Sequence, residues 1–400
     1  MLKKILLILL FIITVASTVF YIWSRAHGGL RRVAVETIAG QVVSDPAESD
    51  VIPKVLGFEE PQTYLVLFLN NTEIRPGGGF IGAYSVVRID KGVPEILKVE
   101  GTEILDNYAP QENLPVPPKA LQEYLEIKKW AFRDSNWSPD FALSAMQSLD
   151  LFKKENGLEA NNIDGVIGIT PTLMEEVLKI SGPIIVNGEE FNADNFTQKV
   201  QYEVEFGFAD KGLDFNERKK LLVDLSHELL RRMKKDFIRD WPKYFALSQR
   251  MFSEKHILGY STNPEMQKIL MARDWAGEVK SQLGDYLLWV DANMGALKTD
   301  KVMQKELSYS IAPTSSGRYI ATAKMKYTNT GSFTKFTSRY RTYVRIFVPQ
   351  GSQFISVAGS MKQDKSSEPG AVEQGMEKDK QWYGTFISIE PKDTKELTWK

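Results

Sequence analysis

An apolar run, Tyr64-Leu65-Val66-Leu67-Phe68-Leu69, passes without a break into Asn70-Asn71-Thr72-Glu73-Ile74-Arg75-Pro76-Gly77-Gly78-Gly79, and a second apolar run starts at Phe80. The first run reads as a buried strand. A polar cluster at the end of a buried strand is where an open α/β sheet usually keeps its ligand site. Consecutive glycines raise the entropic cost of ordering the backbone, so they mark a place where the chain must bend or a ligand must come close. Arg75 adds a planar cation suited to phosphate or carboxylate. Asn70, Asn71, Glu73, Arg75, Gly78 and Gly79 are therefore candidate ligand-binding residues. The alternative is a Gly-rich hairpin with a surface arginine, its asparagines tied to neighbouring backbone.

The N-terminus sets the expected compartment. Lys3 and Lys4 precede an apolar stretch from Ile5 to Trp23. At about 1.5 Å per residue that length crosses roughly 30 Å of hydrocarbon. Residues 1–24 thus read as a cytoplasmic tip and transmembrane signal anchor, with Tyr21 and Trp23 at the far interface. A cleaved signal peptide is the alternative, and Thr14-Val15-Ala16 is a weak cleavage site. Arg25, Arg31 and Arg32 balance Lys3 and Lys4, so flanking charge barely discriminates orientation. A single N-terminal anchor before a large body favours placing that body outside the cytoplasm, as a single-pass protein of the cell membrane. No cysteine occurs, which excludes disulfides and thiolate metal sites. A net charge of −1 argues against a nucleic-acid partner. The only histidines are His27, His227 and His256, and no HExxH spacing, P-loop or Gly-x-Ser-x-Gly elbow appears. No metal site is expected from these patterns.

Residues 25–60 read as a stalk, and 61–304 as an α/β domain. Strands are expected at 64–69, 80–90 and 95–99, an irregular Pro-rich loop at 106–120, and helical spacing from Leu121 to Trp130. Ser138 with Pro139 opens a helix whose apolar face is Phe141, Ala145, Leu149 and Phe152. A buried strand at 165–170, a helix at 172–180 and a strand at 184–186 follow, and this alternation favours α/β. Residues 196–284 read as a helical insertion, clearest from Lys219 to Arg239, with Asn263 capping a helix through Ala272. A strand at 285–290 ends in Asp291-Ala292-Asn293. From 305 to 400 the pattern alternates, with strands at 319–327, 340–348, 353–357 and 382–389, so this part reads as an all-β, sandwich-like module. Leu397-Thr398-Trp399-Lys400 looks like a strand cut short, and the natural protein is expected to continue.

Several of these segments resemble the domain-of-unknown-function family 4012 of membrane-anchored bacterial proteins. The matching stretches are Phe68 to Gly82, Arg133-Asp134-Ser135-Asn136-Trp137-Ser138-Pro139-Asp140-Phe141, Asp164 to Ile169, Asp291-Ala292-Asn293 and the region around Tyr340–Pro349. The order of elements is also similar, more weakly, to the LytR-CpsA-Psr ligases, which have a mixed sheet with helices. That likeness implies arginines holding a polyprenyl pyrophosphate and acids holding magnesium. The chain departs from the ligase pattern at Gly78-Gly79-Phe80-Ile81, where an acid is missing.

Arg133, Asp134, Asp291 and Asn293 join the ligand-binding candidates. Arg75 and Arg133 converging on one cleft would clamp a pyrophosphate. The structural alternative pairs Arg75 with Glu73 and Arg133 with Asp134. Two functions follow. One is an extracytoplasmic protein acting in cell-envelope glycopolymer assembly or binding. The other is a ligase moving a glycan from a polyprenyl-pyrophosphate carrier to the cell wall, with magnesium as its cofactor. The expected partners are the membrane and either a cell-wall glycan or that lipid.

Overall fold

The computed structural model describes residues 51–55, 57–91, 93–208, 212, 220–295 and 297–400. The expected anchor at 1–24 and the stalk up to residue 50 lie outside them. Among the described residues no helix is long and apolar enough to cross a membrane. The chain has a mixed α/β architecture and divides into two compact units. One holds the described residues up to Asn70 with Phe80–Leu114 and Ala131–Glu278; the other holds Asn71–Gly79, Pro115–Trp130 and Val279–Lys400.

The first unit opens with a short helix, α1 (Val51–Val55). It is built on a five-stranded sheet of order β3-β2-β1-β4-β7. These strands are β1 (Gln62–Asn70), β2 (Phe80–Asp90), β3 (Val93–Gly101), β4 (Gly165–Ile169) and, further along the chain, β7 (Ile257–Ser261). β1 runs parallel to β4 and antiparallel to β2. The unbroken apolar run of β1 follows from its position, because a central strand covered on both faces has no polar side. Tyr64, Val66 and Phe68 join one core with Leu173, Val177, Phe196, Leu225 and Met251. On the other face Leu67 lies opposite Tyr84, whose ring meets Phe132 and Phe152 edge-on at 5.5 and 5.2 Å.

The helices of this unit are α2 (Thr102–Tyr108), α3 (Phe141–Lys154), α4 (Thr172–Ser181), α5 (Phe196–Tyr202), α6 (Lys220–Ser253) and α7 (Pro264–Ala272). The hairpin β5 (Ile184–Val186) and β6 (Glu189–Phe191) turns at Asn187-Gly188, where both residues have positive φ. α3 begins two residues later than the sequence suggests. Asp140, not Ser138, is its N-cap and accepts from Leu143 N at 3.1 Å, while Ser138 Oγ accepts from Asp140 N. The expected helical insertion contains a strand, β7, which completes the sheet against β4. Its five residues include Gly259 and carry little β signal; the open edge of β4 supplies the pairing. α3 packs close to β4 at Gly168, where a Cβ would fall 2.6 Å from the Phe141 ring.

The second unit contains two four-stranded sheets, β12-β15-β10-β9 and β13-β14-β11-β8. The strands are β8 (Leu288–Asn293), β9 (Met303–Pro313), β10 (Tyr319–Asn329), β11 (Tyr340–Pro349), β12 (Val357–Ala358), β13 (Glu373–Glu377), β14 (Lys380–Ile389) and β15 (Thr394–Trp399). Met325, Tyr327, Tyr340, Val344, Ile387, Leu397 and Trp399 from both sheets form one core. The expected strand at 285–290 lies three residues later, and that at 353–357 reduces to Val357–Ala358. Helical spacing at 121–130 yields only Lys119–Tyr124, because Glu126 takes a positive φ and turns the chain. Tyr124 then stacks on Phe386 at 4.2 Å.

Candidate functional site

Two clusters of buried charge hold most of the residues singled out from the sequence. Each lies within one unit.

In the second unit the loop Asn71–Gly79 runs beside the end of β8. Gly78 and Gly79 have φ of +111° and +139°, where a side chain would strain the backbone, and Gly78 N donates to Arg75 O at 3.0 Å. The glycines therefore serve a bend. Ile74 O accepts from Asn293 N, and Ile74 N donates to Asp300 Oδ2, each at 3.0 Å. Arg75 is only 3% exposed. Its Nη1 donates to Asn293 O at 2.6 Å, and its Nη2 lies 3.9 Å from Glu73. Glu73 also faces Lys298 at 3.5 Å. The side-chain amide of Asn293 donates to Leu297 O at 3.0 Å and to Asp300 Oδ2 at 2.7 Å, and its Oδ1 accepts from Gly295 N. Asn70 ends β1 opposite Phe80 and is buried; Asn71 is half-buried in the turn that follows.

The same cluster continues through Asp291. Its Oδ2 accepts from Lys305 at 3.0 Å, and its Oδ1 accepts from Tyr327 at 2.8 Å and Thr342 at 3.0 Å. Lys305 also donates to Tyr340 OH, which in turn donates to Asp300 Oδ1. Burial works against the Lys305 charge, yet Asp291 and Asp300 outweigh it and hold the ammonium above its ordinary range. Burial, followed by the charge of Asp291, pushes both phenols well above theirs. Every charged group here has an opposite within the unit: Glu73, Asp291 and Asp300 face Arg75, Lys298 and Lys305.

In the first unit Arg133 stands in a 3-10 turn, Phe132–Asp134, between α2 and α3 in sequence. Its Nε pairs with Asp106 of α2, not with the neighbouring Asp134. Asp106 in turn faces Glu155, the residue that ends α3. Glu155 Oε1 accepts from Phe132 N at 2.6 Å. Asp106 Oδ1 and Glu155 Oε2 are buried with no protein donor in reach, and a proton shared between them satisfies both. Burial first, then the Asp106 charge, raises the Glu155 carboxyl to about 9, and burial also raises Asp106 against the pull of Arg133. The pair therefore retains a proton between the two carboxyls. Asp134 is buried beside the group and adds negative charge. The Arg133 side chain keeps a third of its surface exposed.

The two arginines expected to converge thus fall in different units, each engaged by an acid of its own unit. Sequence reasoning missed Asp106 and Glu155. Asp106 sits in what reads as a Pro-rich loop, and Glu155 looks like an ordinary last-turn residue of an amphipathic helix. Among the described residues, no three His, Cys, Asp or Glu side chains gather as a metal-binding set. A comparison with curated proteins finds no match. Residues 59–204, which hold the loop, Arg133, Asp106 and Glu155, match the family model described as a protein of unknown function (DUF4012).

Proposed function

We propose that this is a membrane-anchored protein with its body outside the cytoplasm, acting in cell-envelope glycopolymer assembly by binding rather than by group transfer. The apolar stretch Ile5–Trp23 supports the anchor. The mixed sheet, with β1 between an antiparallel and a parallel neighbour, is read as a relative of the LytR-CpsA-Psr sheet, and the second unit as a β-sandwich module. The observation that carries the binding reading is the engagement of Arg75. A guanidinium that is 3% exposed and already held by Glu73 and the Asn293 carbonyl has little left to offer a pyrophosphate.

The test uses the full chain in nanodiscs, given cell-wall glycopolymer and a polyprenyl-pyrophosphate glycan. The expected result is binding without glycan transfer, with Arg75→Met lowering stability by about 3 kcal/mol because Glu73 loses a buried partner. Glycan transfer that disappears in Arg75→Met at unchanged stability would defeat it. One observation favours the transferase alternative: a carboxyl held protonated at neutral pH beside a partly exposed arginine is the kind of group that donates a proton. Magnesium that raised the melting temperature of the full chain would favour that alternative, since a ligand of the folded state must stabilise it.

A further inference from the structure

Lys305 meets Asp291 in a setting that an ordinary ion pair does not require. Asp291 belongs to β8 and Lys305 to β9, the end strands of the two sheets of the second unit. Lys305 Nζ lies 3.0 Å from Asp291 Oδ2, over the rings of Tyr340 at 5.1 Å and Tyr327 at 5.9 Å. The other carboxylate oxygen, Oδ1, accepts from two fully buried hydroxyls, Tyr327 at 2.8 Å and Thr342 at 3.0 Å. A second acid, Asp300, stands 3.5 Å from the same Nζ. Tyr340 OH bridges the two, accepting from Nζ at 3.0 Å and donating to Asp300 Oδ1 at 2.9 Å. An amine beside a carboxyl, two donors on one carboxyl oxygen and a base with a hydroxyl relay are the parts of an acyl-transfer site.

We propose that Lys305 and Asp291 condense to an isopeptide bond that ties β8 to β9. The Nζ lone pair forms a bond to Asp291 Cγ, and the Cγ–Oδ2 bond breaks. An ammonium and a carboxylate become an amide and one water, so no oxidant, reductant or further reactant is needed. Of the three ammonium protons, one stays on the amide nitrogen and two leave with Oδ2. Asp300 takes the first of these from Nζ by way of Tyr340 and delivers it to the departing oxygen. Oδ1 carries the negative charge of the tetrahedral intermediate under the Tyr327 and Thr342 hydroxyls. It then becomes the amide oxygen with both donors still in place.

Burial supplies the driving force. Two charges held out of water are costly even when paired, and a neutral amide removes both. The two acids keep Lys305 an ammonium at rest, so the ion pair is the reactant and proton removal by Asp300 is the first step. Once Lys305 is acylated, Asp300 retains Ile74 N, Asn293 Nδ2 and Tyr340 OH as donors. A quarter of the Lys305 side chain is exposed, which gives the released water a way out. In a chain without cysteine the bond closes a loop between two sheets, as a disulfide does elsewhere.

The bond is read by mass spectrometry of the full chain, purified in detergent and digested with trypsin. Trypsin does not cut at an acylated lysine. The expected product is one branched peptide that joins the Asp291 and Lys305 segments and is lighter than their sum by one water. Lys305→Arg keeps a cation beside Asp291 but has no amine to acylate, and should yield linear peptides at full mass. Asp300→Asn keeps a polar group beside Tyr340 without a base, and should slow the appearance of the bond after cell-free synthesis by at least about a hundredfold. Linear peptides at full mass from the parent chain would overturn the proposal, and that result does not depend on any variant folding. So would a loss of water that persists in Lys305→Arg, or a branched peptide that forms in Asp300→Asn at the parent's rate.

Discussion

The two buried charge clusters differ in balance. Around Asp291 three acids meet three cations, and the carboxylate oxygens of Asp291 are taken up by Lys305, Tyr327 and Thr342. Around Glu155 two acids, Asp106 and Glu155, meet each other, with Arg133 paired to Asp106 and Asp134 nearby. A balanced cluster in low dielectric keeps its charges; an unbalanced one keeps a proton instead. The first ties the loop Asn71–Gly79, β8 and β11 through opposite charges. The second ties α2, the 132–134 turn and the end of α3 with a proton as an essential part.

The largest expected effect tests the balanced side. Asp291→Ala leaves Lys305 with Asp300 as its one remaining acid and Tyr327 and Thr342 without their acceptor, and should cost about 3 kcal/mol in denaturant unfolding of the full chain. A loss below about 1 kcal/mol would show that Lys305, Tyr327 and Thr342 do not depend on this carboxylate.

The next effect tests the unbalanced side. The Glu155 carboxyl is raised in the folded state, so its contribution is fully present below the ordinary glutamate value and is lost as pH climbs through about 9. Stability should fall across that window by up to about 1.4 kcal/mol per pH unit for this one group. Glu155→Gln supplies an amide N–H to Asp106 without a titrating proton, so it should remove that slope and be more stable than the parent at pH 9. A parent and variant with parallel profiles would show that Glu155 is ionised at neutral pH. The smallest effect is Tyr340→Phe, which removes one donor to Asp300 and one acceptor from Lys305. It should cost about 1 kcal/mol, without pH dependence, by the same unfolding measurement.

Much of the fold was legible along the chain. The period-two runs at β10, β11 and β14, the helical face Phe141–Phe152 and the Asn187-Gly188 turn each appear where local pattern places them. What failed locally failed for identifiable reasons. β7 owes its conformation to the edge of β4, and β9 has little buried surface to enforce a clear alternation. At the start of α3, Ser138 and Asp140 are both good caps, and only the three-dimensional path of the turn selects Asp140.

The candidate site was legible by half. Glu73, Arg75, Asp291 and Asn293 were all singled out, and all lie in or around one cluster, although Lys305, Tyr327 and Tyr340 complete it from other strands. By itself the sequence determined the buried central strand, the obligatory bend at Gly78-Gly79 and the presence of arginines within polar turns, because these depend on residue type and near neighbours. Only the tertiary structure decided which acid each arginine meets. Arg133 passes over adjacent Asp134 for Asp106, 27 residues away, and Asp106 meets an acid rather than another base. Charge pairing at such separations depends on how helices are laid on a sheet, and burial then makes each encounter matter far more than it would in water.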